Sequence, residues 1–183
     1  MDAALRVLSY LSSTIDKGVR YERGPLNVHA FSDSDHGGCE DGKSTGCYMI
    51  VIAGGLVAWK SKKQSTVAMS TEAAELIAAV EAAKTAVWVK MFINELRIPG
   101  VMIEQVPLYI DNNSALALTK NPVFHAKTKH LSLRYHWIRE VVNETKDITT
   151  HRVSTKDNIA DMGTKFLPRD THEYLLQKMH MVN

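Results

Sequence analysis

Four acidic side chains in this chain, Asp33, Glu75, Asp111 and Asp161, could do chemistry together. Asp33 lies in LNVHAFSDSD, residues 26–35, where Leu26, Val28 and Ala30 alternate with His29, Phe31 and Asp33. That is the period of two of a strand, and strands disfavour Asp. Taken alone, Asp-Ser-Asp-His-Gly-Gly is also good turn chemistry, and a strand-ending turn accounts for the acid. Three later carboxylates change the reading. Glu75 stands early in a long helical pattern, Asp111 ends the strand-like VPLYI run, and Asp161 falls early in a helical stretch that begins at Asn158. Two strand ends and two helix starts can converge at one edge of a sheet, where four carboxylates repel one another unless cations neutralise them. Hard cations with oxygen ligands, Mg²⁺ or Mn²⁺, fit such a site. Two such ions roughly 4 Å apart activate water and stabilise the leaving oxygen of a phosphodiester.

The elements that must position these acids can be read in order. Residues 3–14 pattern as a helix, with Leu5, Leu8 and Leu11 at every third position. Residues 1–24 are set apart as this helix and its linker, which fits the tail of a neighbouring domain, and residues 25–183 as the domain proper. After the strand that carries Asp33 and a loop over 37–43, Cys47–Ala53 and Leu56–Trp59 read as strands around a Gly54-Gly55 hairpin. A basic turn, Lys60-Ser61-Lys62-Lys63, comes next. Ser70 or Thr71 is a good cap for a helix running to about Leu96, with Leu76, Ile77, Val80, Ala83, Val87 and Met91 as its buried stripe. Beyond VPLYI come a short helix over 114–118, a helix over 133–143, a strand over 147–153, the helical stretch from Asn158, and an amphipathic piece over 170–179. Three consecutive strands, then strands alternating with helices, predict an α/β domain with a mixed sheet flanked by helices.

Composition excludes several classes. The chain has 183 residues, a formal net charge of +2 and two cysteines, Cys39 and Cys47. It is not a polybasic binder as a whole, and Cys39 and Cys47 read as free thiols in a reducing compartment. MDAALRVLSYL lacks the apolar core of a signal peptide, and no apolar run reaches membrane-spanning length. The expected setting is the cytoplasm or nucleus, not the secretory route.

Charge distribution says more than the sum. From Asn112 to Arg139 there is no Asp or Glu, while Lys120, Lys127, Lys129, Arg134 and Arg139 are all present. Such a run is ordinarily a solvated face; beside a carboxylate metal site, contact with phosphates is the better reading. His125, His130 and His136 match no common zinc spacing and join that surface. GGCEDGKS at 37–44 formally matches a phosphate-binding loop, but it leads into a strand where a helix is required. Trp59, Trp88 and Trp137 lie in apolar patterns and read as core, with the methionines as fillers.

The blocks KSTGCY at 43–48, WKSKKQSTVAMSTEAAEL at 59–76, YIDNNSALAL at 109–118, NPVFHAKTKH at 121–130, RYHWIRE at 134–140 and ADMGTK at 160–165 resemble, in order, the ribonuclease H domain of copia-type retrotransposon polyproteins. The resemblance covers nearly the whole chain. It implies an RNase H-like fold with a five-stranded mixed sheet, and cleavage of the RNA strand of RNA–DNA hybrids with two Mg²⁺, Mn²⁺ being a substitute. It implies that Asp33 bridges both ions, that Glu75 and Asp111 complete one site and that Asp161 completes the other. It also implies a reverse transcriptase domain in the same polyprotein as partner, and a virus-like particle as one cytoplasmic setting. Glu72 is a rival to Glu75, and the downstream spacing into LIAAVEAAK favours Glu75. Many cellular relatives place a His before the last Asp; here His151 is the nearby candidate for an auxiliary role. The alternative reading is a catalytically silent domain that binds hybrid or supports a reverse transcriptase.

Overall fold

The computed structural model describes residues 2–120 and 132–182. A helix, α1 (Asp2–Ser13), is followed by a two-residue strand, β1 (Gly18–Val19), and then by β2 (Val28–Ser34), β3 (Thr45–Ile52) and β4 (Gly55–Lys63). The long helix α2 (Thr71–Glu95) leads to β5 (Val106–Ile110) and α3 (Asn113–Lys120). Next come α4 (Ser132–Arg139), a wider π-helical turn (Glu140–Glu144) and β6 (Ile148–Arg152). Short 3₁₀ turns at Thr155–Asp157 and Ile159–Gly163 precede α5 (Arg169–Lys178) and β7 (Met181–Val182). The sheet order is β4-β3-β2-β5-β6. β2 runs antiparallel to β3, and β3 to β4, while β5 is parallel to both β2 and β6. This is the expected five-stranded mixed sheet.

The two faces bury different sets of apolar side chains, which is why helices lie on both. Val28, Ala30, Ile50, Val106, Leu108, Ile110 and Ile148 point toward α2, where they meet Leu76, Val80, Ala83, Ala86 and Ile93. On the other face Cys47, Met49 and Val51 pack against Ile159, Ala160 and the Leu175 and Leu176 side chains of α5. α2 begins at Ser70, whose side chain accepts a hydrogen bond from the Ala73 N–H at 3.2 Å. Lys90 fixes its other half, with Nζ 2.6 Å from Asp147 Oδ1.

Several expectations are corrected. The β3–β4 hairpin turns on Ala53-Gly54, both at positive φ (50° and 80°), because Ile52 pairs with Gly55; such a two-residue turn requires φ > 0 at both central positions. Lys60–Lys63 is no turn but the end of β4. The stripe on α2 drifts: Met91 is 55% exposed, while Val89 and Ile93 are buried. The first half of α2 is buried nearly all round, so its periodicity could not fix the later phase. Trp59 and Trp88 are 65% and 61% exposed, because one lies on the edge strand and the other stacks on Phe92 along the outer side of α2; Trp137 packs against the core as expected. Asp161 sits in a 3₁₀ turn, not an α-helix. Leu5, Leu8 and Leu11 of α1 are exposed. The β1–β7 pairing had no signal, both strands being two residues long. Among the described residues, no helix is long and apolar enough to cross a membrane.

Candidate active site

β2 and β5 are parallel neighbours, with Ser32 opposite Ile110. The next residue on each chain is an aspartate, so Asp33 and Asp111 leave the sheet side by side at its carboxyl end. Asp161 reaches them from the 3₁₀ turn Ile159–Gly163, which packs on β2 and β3. Asn158 holds that turn in place: its Nδ2 donates to the Ser32 carbonyl at 3.0 Å and its Oδ1 accepts from the Ala160 N–H at 3.3 Å. At the far end of the turn Ser61 Oγ donates to the Gly163 carbonyl at 2.5 Å. The approach is so close that a Cβ at residue 163 would run into the Cys47 sulfur. The outcome is that one carboxylate oxygen each of Asp33, Asp111 and Asp161 lies within 4.8 Å of the others.

Glu75 stands beside this trio on the first turns of α2. It is buried, whereas Glu72 is only half-buried. Burial, then the charges of Asp33 and Asp111, push its carboxyl from the ordinary 4.5 up to about 9, against the pull of the Ser34 backbone N–H. Its Oε2 is buried without a hydrogen-bond partner among the described residues. Asp161 is likewise pushed upward, by burial first and the Asp33 charge second. Clustered acids that resist ionisation, one with an orphaned oxygen, are the donor set a hard divalent cation satisfies. The observed groups therefore fit Mg²⁺ or Mn²⁺. The Cys47 thiol, buried and beside Asp33, is pushed up to about 12 and is inert at neutral pH.

Two further groups reach this site from the ADMGTK block, neither of them among the candidates named above. Thr164 Oγ1 donates to Asp33 Oδ2. Lys165 places Nζ 3.3 Å from Asp33 and 3.1 Å from Asp161 Oδ1. Its contact with Asp33 spans 132 residues of sequence, and such a contact leaves no local pattern. Asp35 is held elsewhere, accepting from the Thr45 N–H.

The remaining candidates are more dispersed. His151 lies exposed on β6, its ring 5.6 Å from that of Tyr109 and its Nε2 3.0 Å from Thr149 Oγ1. It is level with Tyr109, two residues short of Asp111 along the sheet. Lys120 is exposed at the end of α3. Arg134 is half-buried and, with Tyr48, Lys60 and Lys62, lines a cavity of about 200 Å³ between β4 and α2. Arg139 stacks its guanidinium over the Tyr135 ring at 5.5 Å. Lys127 and Lys129, with His125 and His130, lie outside the described residues.

A mixed sheet in this order, with aspartates leaving the ends of adjacent parallel strands, is the fold of the ribonucleases H. The chain superimposes on RNase H1 of Halobacterium salinarum NRC-1 with a TM-score of 0.55 and 18% identity, over 75% of this chain and 94% of that one. It matches LC11-RNase H1, solved in complex with an RNA/DNA hybrid, with a TM-score of 0.56 and 13% identity over the same shares. In sequence it is 38% identical over 173 residues, 94% of its length, to the retrovirus-related Pol polyprotein from transposon TNT 1-94 of Nicotiana tabacum. It is 35% identical over 184 residues, 99% of its length, to that from transposon RE2 of Arabidopsis thaliana. The chain is thus a homologue of plant copia-type Pol polyproteins, over a stretch with the RNase H fold. It spans 13% and 12% of the length of these two relatives. No family model matches it.

Proposed function

We propose that this chain is the ribonuclease H segment of a retrotransposon Pol polyprotein and hydrolyses the RNA strand of RNA–DNA hybrids with two divalent ions. The observation that carries the reading is the convergence of Asp33, Asp111 and Asp161 within 4.8 Å at the carboxyl end of parallel strands in this fold. Asp33, Glu75, Asp111 and Asp161 would hold Mg²⁺, or Mn²⁺ in its place. The bound ions supply a water activated as nucleophile and charge to stabilise the leaving oxygen. Asn158, Thr164 and Gly163 keep the carboxylates in register with one another. His151, exposed and two positions along the sheet from Asp111, is an auxiliary candidate for product release.

Lys120 and Arg134, together with Lys127 and Lys129, serve affinity rather than chemistry, as cations that neutralise phosphates do. Lys60 and Lys62 extend that surface beside Arg134. Arg139 joins it from its seat over Tyr135. Hybrid would be told from duplex DNA through the 2′-hydroxyl and from duplex RNA through groove shape. The reverse transcriptase segment of the same polyprotein is the expected neighbour, with α1 as its tail, and the setting is a virus-like particle in the cytoplasm or the nucleus.

The test is a gel assay on end-labelled hybrid, duplex RNA and single-stranded RNA, with Mg²⁺ or with EDTA. Mg²⁺-dependent cutting of RNA in the hybrid alone is expected. Binding of hybrid without cutting would make the chain a silent hybrid-binding module, and neither would leave it a structural segment.

A further inference from the structure

Lys165 carries a feature beyond the carboxylate set. Its ammonium has three N–H groups and stands 3.3 Å from Asp33 and 3.1 Å from Asp161 Oδ1. The two aspartate side chains are 1% and 5% exposed, whereas that of Lys165 is 39% exposed. The stem therefore reaches in from solvent and delivers a cation to two buried anions. The placement is built into the turn: the Lys165 N–H donates to the Asp161 carbonyl at 3.0 Å, and the Thr164 N–H donates to the same oxygen at 3.2 Å. Lys165 and Asp161 are thus fixed at i and i+4 by the very segment that presents Asp161.

Asp33 and Asp161 also belong to the trio whose oxygens lie within 4.8 Å. An ammonium and a divalent ion on the same oxygens would be like charges a few ångströms apart, which repel strongly in a partly buried site. We propose that Lys165 is a built-in counter-cation that competes with the divalent ion for Asp33 and Asp161 and withdraws to solvent when the ion binds. The inference rests on the metal-site reading above. Its consequence is that Lys165 keeps the carboxylates assembled before the ion arrives and raises the ion concentration needed to fill the site. Its long, exposed stem makes the withdrawal inexpensive, since the charged head regains water.

The experiment is titration of the intact chain with Mg²⁺ alone, without nucleic acid, followed by calorimetry and by thermal melting. Wild type is compared with Lys165→Met, which keeps the stem and removes the charge, and with Lys165→Arg, which keeps the charge. Lys165→Met should bind Mg²⁺ roughly tenfold more tightly, the order expected for loss of a like charge at this range. It should also melt lower than wild type before Mg²⁺ is added and gain more from Mg²⁺. Lys165→Arg should stay within about threefold of wild type, its charge being retained. Lys165→Gln replaces Lys165→Met if the latter does not fold. Equal or weaker binding by the neutral variant would overturn the competition while leaving the metal site standing. Absence of Mg²⁺ binding in both proteins would overturn the competition and the metal reading together.

Discussion

Burial first, and the charges of Asp33 and Asp111 second, make Glu75 reluctant to give up its proton. The unfolded chain ionises this side chain near the ordinary 4.5, whereas burial and the Asp33 and Asp111 charges hold the folded one up to about 9. Between those values the native state binds more protons than the unfolded state, so this group lowers stability as pH rises through the window. An ion that takes the oxygens releases the proton. Glu75→Gln should therefore flatten the fall in melting temperature between pH 5 and about pH 9, while cleavage drops on the order of a hundredfold, as when one preorganised charge is lost. Glu72→Gln, on the half-buried side, should change the rate by less than about threefold, the scale of a surface change. If Glu72→Gln is the inactive variant, the register of the site is displaced by one helical turn. The preference for Glu75 over Glu72 rests on the spacing into LIAAVEAAK, and the burial of Glu75 beside a half-buried Glu72 agrees with it. Lys165 was not legible, because its spacing of four from Asp161 reads as an ordinary helical ion pair and its contact with Asp33, 132 residues away, leaves no trace in spacing. Trp59 and Trp88 were misread for a related reason: bulk and apolarity mark a core side chain only when the face of the element is known, and an edge strand gives its outer face to solvent.

At the scale of elements, the 3₁₀ turn Ile159–Gly163 decides whether Asp161 meets Asp33. Sequence suggested an α-helix here. The observed turn is tighter because Asn158 caps it from below, while Gly163 lets it lie directly on Cys47. The Asn158 cap is local, but the seat of Gly163 on Cys47 joins residues more than about a hundred positions apart and is invisible to local patterning. Gly163→Ala should lift the turn off β3 and cost about 1–3 kcal/mol, the range for overpacking. Cleavage should fall more steeply than stability, because Asp161 moves with the turn. Urea denaturation alongside single-turnover cleavage measures both, and a Gly163→Ala protein with wild-type values in each would show that the turn's close seat is not needed. The strands were the most legible elements: β5 matches its VPLYI run end to end. The hairpin was legible to within one residue.

At the scale of the whole molecule, the sequence separated residues 1–24 from the rest, and the structure shows where this segment grips the body. α1 leaves Leu5, Leu8 and Leu11 in solvent, but Gly18–Val19 pairs with Met181–Val182 and Tyr21 Oη donates to the Leu56 carbonyl at 3.0 Å. We propose, from these contacts, that a join to a preceding domain falls before Gly18. Removing residues 1–15 should leave the melting temperature within about 2 °C, since few buried contacts are lost. Removing residues 1–24 should lower it by about 4 °C or more, a loss of about 1–2 kcal/mol or more for a chain of this size. Equal effects of the two truncations would mean that β1 adds nothing to the fold.

The catalytic reading depends on Asp33, which adjoins Asp111 and Asp161 and takes the hydroxyl of Thr164 and the ammonium of Lys165. Asp33→Asn keeps the shape and removes the charge. The most direct measurement is the single-turnover rate of RNA-strand cleavage in a hybrid with Mg²⁺, for wild type and for Asp33→Asn shown to be folded by circular dichroism. The account predicts cutting by wild type and a rate lower by a thousandfold or more, on the order of 4 kcal/mol of lost transition-state stabilisation, in the variant. Near-wild-type cutting by folded Asp33→Asn would contradict it.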